Sequence, residues 1–163
     1  MTPRRSPPRR QLRAAARLYA IQALFQMEAQ GSALDEVLEE FETWRIGAEI
    51  DGETWADADI ALFRRLVTEA VSRQAAIDQM TDRALVAKWP INRIDPTLRA
   101  LFRAAGAELL ATDTPPRVVI SEFVSTARDF FPEGREPAFV NAVLDHMARE
   151  ARPEAFAGDG AKQ

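Results

Sequence analysis

The sequence contains no cysteine and only one histidine. Without cysteine the chain can form neither a disulfide nor a thiolate metal site, and such a composition suits a reducing cytosol. His146 has no cysteine or second histidine with which to complete a catalytic triad or a zinc site. No glycine-rich phosphate loop of the GxGxxG or P-loop type is present. These absences predict a chain that is not an enzyme, binds no metal and needs no cofactor.

Long hydrophobic runs are also missing. No stretch reaches the roughly 20 apolar residues that a membrane span requires. The basic residues 1–10 are not followed by the apolar run of a secretory signal. The 163 residues are 47% hydrophobic and 28% charged, which is ordinary for a globular chain with a real core. We therefore predict a cytoplasmic protein that makes no membrane contact, built as one domain or as two small subdomains sharing a core.

Charge is divided unevenly along the chain. Residues 1–17 contain six arginines and no acid, although the whole chain has a formal net charge of −4. Residues 28–59 contain eleven acids and a single base, Arg45. This division indicates a polyanionic partner at the N-terminal end, which the acidic region would repel from the rest of the surface.

Helical periodicity and breaker residues divide the chain into seven predicted helices. They cover about residues 9–30, 33–46, 56–80 and 82–88, a stretch beginning at Asp95-Pro96, and about residues 117–131 and 137–150. Residues 118–120 could form a strand, but no partner strand is evident. Residues 47–53 are predicted to be a loop. We expect a disordered basic arm over residues 1–8, one all-α bundle over residues 9–150, and a flexible tail over residues 151–163.

One face of the first predicted helix changes from cationic to apolar along its length. Arg10, Arg13 and Arg17 are spaced i, i+3 and i+7, and therefore share a face. The same face continues into three apolar residues, Ile21, Leu24 and Phe25. Because an unpaired charge is costly to bury, we expect the first turns to overhang the core and to display their guanidinium groups to solvent. The planar guanidinium fork suits phosphate. A solvated basic helix end, or pairing with the acidic middle of the chain, remains an alternative.

Four segments carry motifs that occur together in a known family. Residues 13–25 run from arginines into Gln-Ala-Leu-Phe, and residues 103–110 read Arg-Ala-Ala-Gly-Ala-Glu-Leu-Leu. Residues 116–122 read Pro-Arg-Val-Val-Ile-Ser-Glu, and residues 138–145 read Ala-Phe-Val-Asn-Ala-Val-Leu-Asp. In this order the segments resemble motifs of the NusB family of transcription antitermination factors, whose last signature is Lys-Phe-Val-Asn-Gly-Val-Leu-Asp. Ala138 and Ala142 stand where that signature has lysine and glycine.

The resemblance implies both a fold and a function. The implied fold is a seven-helix NusB-like bundle made of two packed three-helix groups. The implied function is to bind boxA-type single-stranded RNA of ribosomal RNA leaders together with the ribosomal protein NusE. This happens in an antitermination complex that keeps RNA polymerase elongating.

The family's functional positions fall on seven residues of this chain. The RNA-binding positions correspond to Arg9, Arg10, Arg13, Arg17, Phe139 and Asn141. Phe25 occupies a tyrosine position near the NusE-facing surface. An aromatic in such a site suits single-stranded RNA, whose bases stack on exposed rings. The alternative for Phe139 is that it caps the core.

Two other functions remain open from the sequence. The first is an N-terminal-type domain related to RNA cytosine methyltransferases. That enzyme requires a following α/β cofactor domain, for which no strand-and-glycine-loop pattern is seen before Gln163. The second is a helical protein–protein adaptor that binds no RNA. The acidic second helix either contacts a basic ribosomal protein or is simply solvated, and the residues do not decide between a monomer and a homodimer.

Overall fold

The computed structural model of the protein describes residues 7–85 and 94–160, the last two by their backbone alone. Seven α-helices of eleven or more residues lie in these ranges. They are α1 (Arg9–Gln30), α2 (Leu34–Trp44), α3 (Ile60–Ser72), α4 (Gln74–Ala84), α5 (Pro96–Ala111), α6 (Pro116–Phe130) and α7 (Glu136–Ala151). The predicted all-α class and the count of seven helices are confirmed. Residues 1–6 of the predicted basic arm and residues 86–88 of the predicted helix over residues 82–88 lie outside the described residues, while residues 82–84 belong to α4.

Local signals in the sequence set the ends of several helices. Helix α1 ends as predicted at Gly31, whose φ of 68° is the left-handed conformation that glycine adopts most easily. The Gly31 N–H donates to the Met27 carbonyl at 2.8 Å. Helix α5 begins with Pro96, and the Asp95 side chain accepts from the Thr97 N–H at 2.7 Å. Residues 118–120 are helical, within α6, so the alternative of a strand is wrong.

Two segments differ from the sequence prediction. The predicted helix over residues 56–80 begins only at Ile60 and is broken at Arg73, which separates α3 from α4. No glycine or proline marks this break, which turns α4 so that it packs on α5 and α7. The predicted loop over residues 47–53 contains most of a small antiparallel hairpin, in which β1 (Glu49–Ile50) pairs with β2 (Glu53–Thr54).

Helix α5 is the centre of the core. Its residues from Ala104 to Leu109 are all buried, and it contacts α1, α3, α4, α6 and α7. Helices α1, α3 and α5 pack on one another, while α6 packs mainly on α7. A division into two three-helix groups remains a prediction. This packing places the start of α1 beside the α5–α6 connection, where the arginines lie.

The chain after α7 is folded onto the helices. Residues Pro153–Phe156 form a 3-10 helix, followed by one helical turn, Ala157–Gly160. The Phe156 side chain is only 7% exposed. The predicted flexible tail is therefore wrong for residues 151–158, because a buried aromatic ring holds the segment in place. Among the described residues, no helix is both long and apolar enough to cross a membrane.

Candidate nucleic-acid interface

An open groove of about 740 Å³ lies between the start of α1, the α5–α6 connection and the first half of α6. We call it the cationic groove because, among the described residues, five arginines line it: Arg9, Arg10, Arg13, Arg17 and Arg117. Two acids, Asp113 and Glu122, also line it, so positive charge is in excess. Four of the five arginines are those to which the sequence assigned RNA binding, and the structure brings them together.

Arg17 is the innermost of these arginines and is 2% exposed. Its Nε and Nη2 donate to Glu108 Oε1 and Oε2 at 2.8 and 2.7 Å, and Glu108 is fully buried. Glu122 Oε2 lies 3.8 Å from Arg17 Nη1. The expectation that Arg17 projects into solvent is therefore wrong. The carboxylate of Glu108 lies beneath Arg17 in α5, and the two parallel hydrogen bonds between them offset the cost of burying both charges.

Exposure rises from Arg17 toward the start of α1. Arg13 is partly buried, with Nη2 donating to Thr114 Oγ1 at 3.2 Å and Nη1 lying 3.8 Å from Asp59 Oδ2. The side chain of Arg10 is 89% exposed, and its Nε is 3.5 Å from Glu122 Oε1. Arg9 is exposed as well. Thus the first turn of α1 presents guanidinium groups to solvent as expected, while the charge further along the helix is neutralised internally.

The ion pairs of Arg10, Arg13 and Arg17 differ from the pairing with the acidic middle of the chain that the sequence left open. Among the described carboxylates that contact Arg10, Arg13 or Arg17, only Asp59 belongs to the acidic middle of the chain. The main partner, Glu108, lies in the centre of α5, and Glu122 lies in α6. The sequence did contain a signal for Glu108, because it is the one charged residue within the apolar run 104–110 and a buried charge needs a partner.

Asn141 lies close to the cationic groove. It is exposed and lines a recess of about 330 Å³ between α6 and α7. Arg117 and Ser121 line both this recess and the cationic groove, so the two adjoin. Arg117 and Ser121 were not singled out from the sequence. Only the position of Arg117, in the first turn of α6 directly after Pro115-Pro116, could have indicated that it stands at the groove's edge.

Phe139 is placed differently. Its ring is half-buried against the core, edge-on to Phe102 with the ring centroids 6.2 Å apart. It lines neither the cationic groove nor the adjoining recess. Residues two apart on a helix point about 200° away from each other, so Phe139 and Asn141 cannot share a face. The structure gives Phe139 the core-capping position, and a contact with RNA remains a prediction.

Phe25 borders a separate groove of about 350 Å³, which we call the Phe25 groove. Its ring is 41% exposed, and its apolar neighbours there include Ile21, Trp55 and Phe130. Polar side chains on the rim are held by an acid of α2. Gln26 donates to Glu40 at 2.6 Å and Arg45 donates to it at 2.9 Å, and these hydrogen bonds lower the pKa of Glu40. The groove therefore combines an apolar floor with an ordered, charged rim.

The sequence profile of the NusB family matches residues 14–149, which contain most of both grooves. This chain belongs to the NusB family. A transcription antitermination protein NusB from Agrobacterium fabrum is 46% identical over 144 residues, covering 88% of this chain and 87% of that protein. One from Maricaulis maris is 46% identical over 152 residues, covering 93% and 94%. The name these relatives carry is that of an antitermination protein and not of an enzyme, which agrees with the expectation from the sequence.

Solved structures of NusB share the fold. The structure of T. maritima NusB has a TM-score of 0.72 and 30% sequence identity, covering 94% of this chain and 99% of that chain. NusB in the crystal structure of antitermination factors NusB and NusE in complex with dsRNA has a TM-score of 0.62 and 24% identity, covering 84% and 96%. The second likeness shows the fold alone. Together these matches confirm the family resemblance that the four sequence motifs indicated.

Proposed function

We propose that this NusB-family chain is a cytoplasmic transcription antitermination factor. In this proposal it binds boxA-type single-stranded RNA of ribosomal RNA leaders together with NusE and keeps RNA polymerase elongating. The observation that carries the proposal is the cationic groove, in which exposed guanidinium groups line an open concave surface. The antitermination name of the relatives, and a solved NusB bound to NusE and RNA, support the same assignment.

The gradient of burial along α1 divides the arginines into two roles. Arg9, Arg10 and Arg13 retain exposed surface and are proposed to contact phosphates directly. Arg17 is too deeply buried for direct contact, and it acts as a positioning residue that binds Glu108 beneath the groove and lies 3.8 Å from Glu122 on the groove's wall. RNA phosphates compete with Glu122 for Arg10, whose exposed ion pair is weak.

A strand in the cationic groove can continue across α6 into the adjoining recess. Arg117 borders both, and the exposed amide of Asn141 offers a donor and an acceptor for a base edge. Phe139 is assigned a supporting role, in which its contact with Phe102 fixes the start of α7 and hence the position of Asn141.

The Phe25 groove is proposed to receive NusE. Phe25 is an exposed aromatic beside an apolar floor, as is typical of an interface anchor. Arg13 and Phe25 are both on α1, about 18 Å apart along its axis at the standard helical rise. One rigid helix therefore presents both surfaces. Simultaneous binding of RNA and NusE raises the combined affinity without a new contact.

A crossed set of variants tests these assignments. Binding of a labelled single-stranded boxA RNA is measured with and without NusE, and NusE capture is measured without RNA. We expect the Arg9→Ala/Arg10→Ala double variant to bind RNA about ten-fold more weakly and to capture NusE normally. Phe25→Ala serves as the matched control and gives the reverse pattern, with weaker NusE capture and unchanged binding of RNA alone.

The alternatives give different results in the same experiment. An adaptor would capture NusE but bind no RNA in the wild type, and this outcome would overturn the RNA assignment. The two relatives described above, of which this chain covers 87% and 94%, carry the name of an antitermination protein and not that of a methyltransferase.

A further inference from the structure

We infer that the C-terminal segment, residues 152–158, is a positioning element for the cationic groove, acting through Arg152 and Phe156. The match to the family profile ends at Arg149, so the whole segment lies beyond the matched residues. The inference rests on the proposed RNA-binding function, because the segment is inferred to hold the cationic groove in the shape that binds RNA.

Arg152 caps the end of α5. Its Nε donates to the Leu109 carbonyl at 2.7 Å, and its Nη2 donates to the carbonyls of Glu108 and Thr112 at 3.0 and 2.8 Å. Its Nη1 donates to the Thr114 carbonyl. The last carbonyls of a helix lack partners within it and carry partial negative charge, so a cation there is favoured. A single guanidinium thus fixes both the last turn of α5 and the connection to α6.

That connection is a wall of the cationic groove. Thr114 lines the groove, and its hydroxyl accepts from Arg13 Nη2 at 3.2 Å. The side chain of Glu108, whose carbonyl Arg152 binds, holds Arg17. Arg152 is therefore one residue removed from two arginines of the groove, although it does not line the groove itself.

Phe156 supports a third arginine. The Cζ atom of Arg117 lies 5.1 Å from the centroid of the Phe156 ring, within the range of a cation–π contact. Arg149 contacts the same ring at 4.6 Å. Arg117 lines the cationic groove and the adjoining recess, whereas Arg149 lines neither. The two arginines therefore form a natural comparison, because they share the ring but not the groove.

The expected effect is one of preorganisation. An arginine loses considerable rotamer freedom when a ligand immobilises it, and an arginine already held on a ring loses less. Removing the ring leaves the charge of Arg117 unchanged and allows its guanidinium to move. RNA affinity should then fall through Arg117, without any change in the number of positive charges.

A double-mutant cycle tests this through the binding of labelled single-stranded boxA RNA. We expect Phe156→Leu to weaken binding about three- to five-fold, and to have no further effect when Arg117→Ala is already present. Arg149→Ala, the matched control, should leave RNA affinity unchanged. Arg152→Gln should weaken binding, and Arg152→Lys should restore part of the loss by returning the charge to the end of α5.

Two further measurements separate positioning from loss of the fold. NusE capture should be unchanged in every variant, because the Phe25 groove does not contact the segment. Amide exchange in the free protein should rise over residues 112–118 in Phe156→Leu and Arg152→Gln, and not in α2. Equal weakening of RNA binding in both Arg117 backgrounds, or a parallel loss of NusE capture, would overturn the inference. Absence of RNA binding by the wild type would instead overturn the proposed function, and the inference with it.

Discussion

At the scale of the residue, the pair of Arg17 and Glu108 decides how the first helix is seated. Both side chains are buried and joined by two hydrogen bonds below 3 Å. A buried ion pair adds little net stability relative to apolar residues of similar volume, but removing one partner leaves an uncompensated charge in the core. The pair therefore acts mainly to fix the position of α1 on α5, which in turn sets where Arg10 and Arg13 emerge.

Substitution of Arg17 should therefore affect folding more than RNA contact. We expect Arg17→Ala to lower the free energy of unfolding by about 3–5 kcal/mol, measured by urea denaturation. The exposed Arg10→Ala is the control and should change it by less than about 0.5 kcal/mol. Arg17→Met combined with Glu108→Leu should recover most of the loss. Equal stability of Arg17→Ala and Arg10→Ala would contradict the assigned role of the buried pair.

The sequence located the helix face shared by Arg10, Arg13 and Arg17 but not the depth at which that face is buried. Helical spacing shows that Arg10, Arg13 and Arg17 share a face. It does not predict how deeply each position on that face is buried against the core. The depth depends on Glu108, which is 91 residues away along the chain. No local pattern links the two, and only the cost of leaving Glu108 unpaired in an apolar run connects them.

At the scale of the element, the approach of α4 to α5 depends on Gly106. A Cβ atom at this position would lie 2.5 Å from Ile77 Cγ2 and 3.2 Å from Ile77 Cγ1. Ile77 is fully buried and β-branched, so it has little room to move away. Glycine is otherwise unfavourable inside a helix, and its presence here reflects the close contact between the two helices.

Replacing Gly106 by alanine tests whether the gain in helix propensity or the cost of overpacking against Ile77 is larger. Glycine to alanine within a helix ordinarily stabilises by about 1 kcal/mol, whereas overpacking a core costs about 1–3 kcal/mol. We expect Gly106→Ala to lower the free energy of unfolding, because the added Cβ would overlap the buried side chain of Ile77. Gly158→Ala is the control, since a Cβ there meets nothing within 4 Å, and it should not destabilise. A rise in the melting temperature of Gly106→Ala would show that α4 and α5 can separate without cost.

Prediction of the elements succeeded where a local signal exists. Gly31 ended α1 and Asp95-Pro96 began α5, because both act through the backbone of their own turn. The break at Arg73 has no such signal, since it results from α4 packing on α5 and α7. The order of the C-terminal segment was missed for the same reason: Arg152 and Phe156 are fixed by distant partners, the end of α5 and Arg117.

At the scale of the whole molecule, the charge division of the sequence becomes a division of surfaces. The arginine-rich start of α1 opens on the cationic groove, while Glu40 of α2 accepts hydrogen bonds from Gln26 and Arg45 on the rim of the Phe25 groove. A polyanion is therefore attracted to the cationic groove, where positive charge is in excess. The net charge of −4 therefore does not argue against RNA binding. It is a sum over the whole chain, whereas the arginines of the cationic groove are concentrated at one place on the surface.

The salt dependence of RNA binding tests the central claim that exposed arginines of the cationic groove bind phosphates. Each contact with a single strand contributes about −0.7 to the slope of log affinity against log salt concentration. With Arg9, Arg10, Arg13 and Arg117 as contacts, we expect a slope between about −2 and −3 for the wild type. The Arg9→Ala/Arg10→Ala variant should reduce its magnitude by about 1.4. A flat response in the wild type, or an unchanged slope in the variant, would contradict the account.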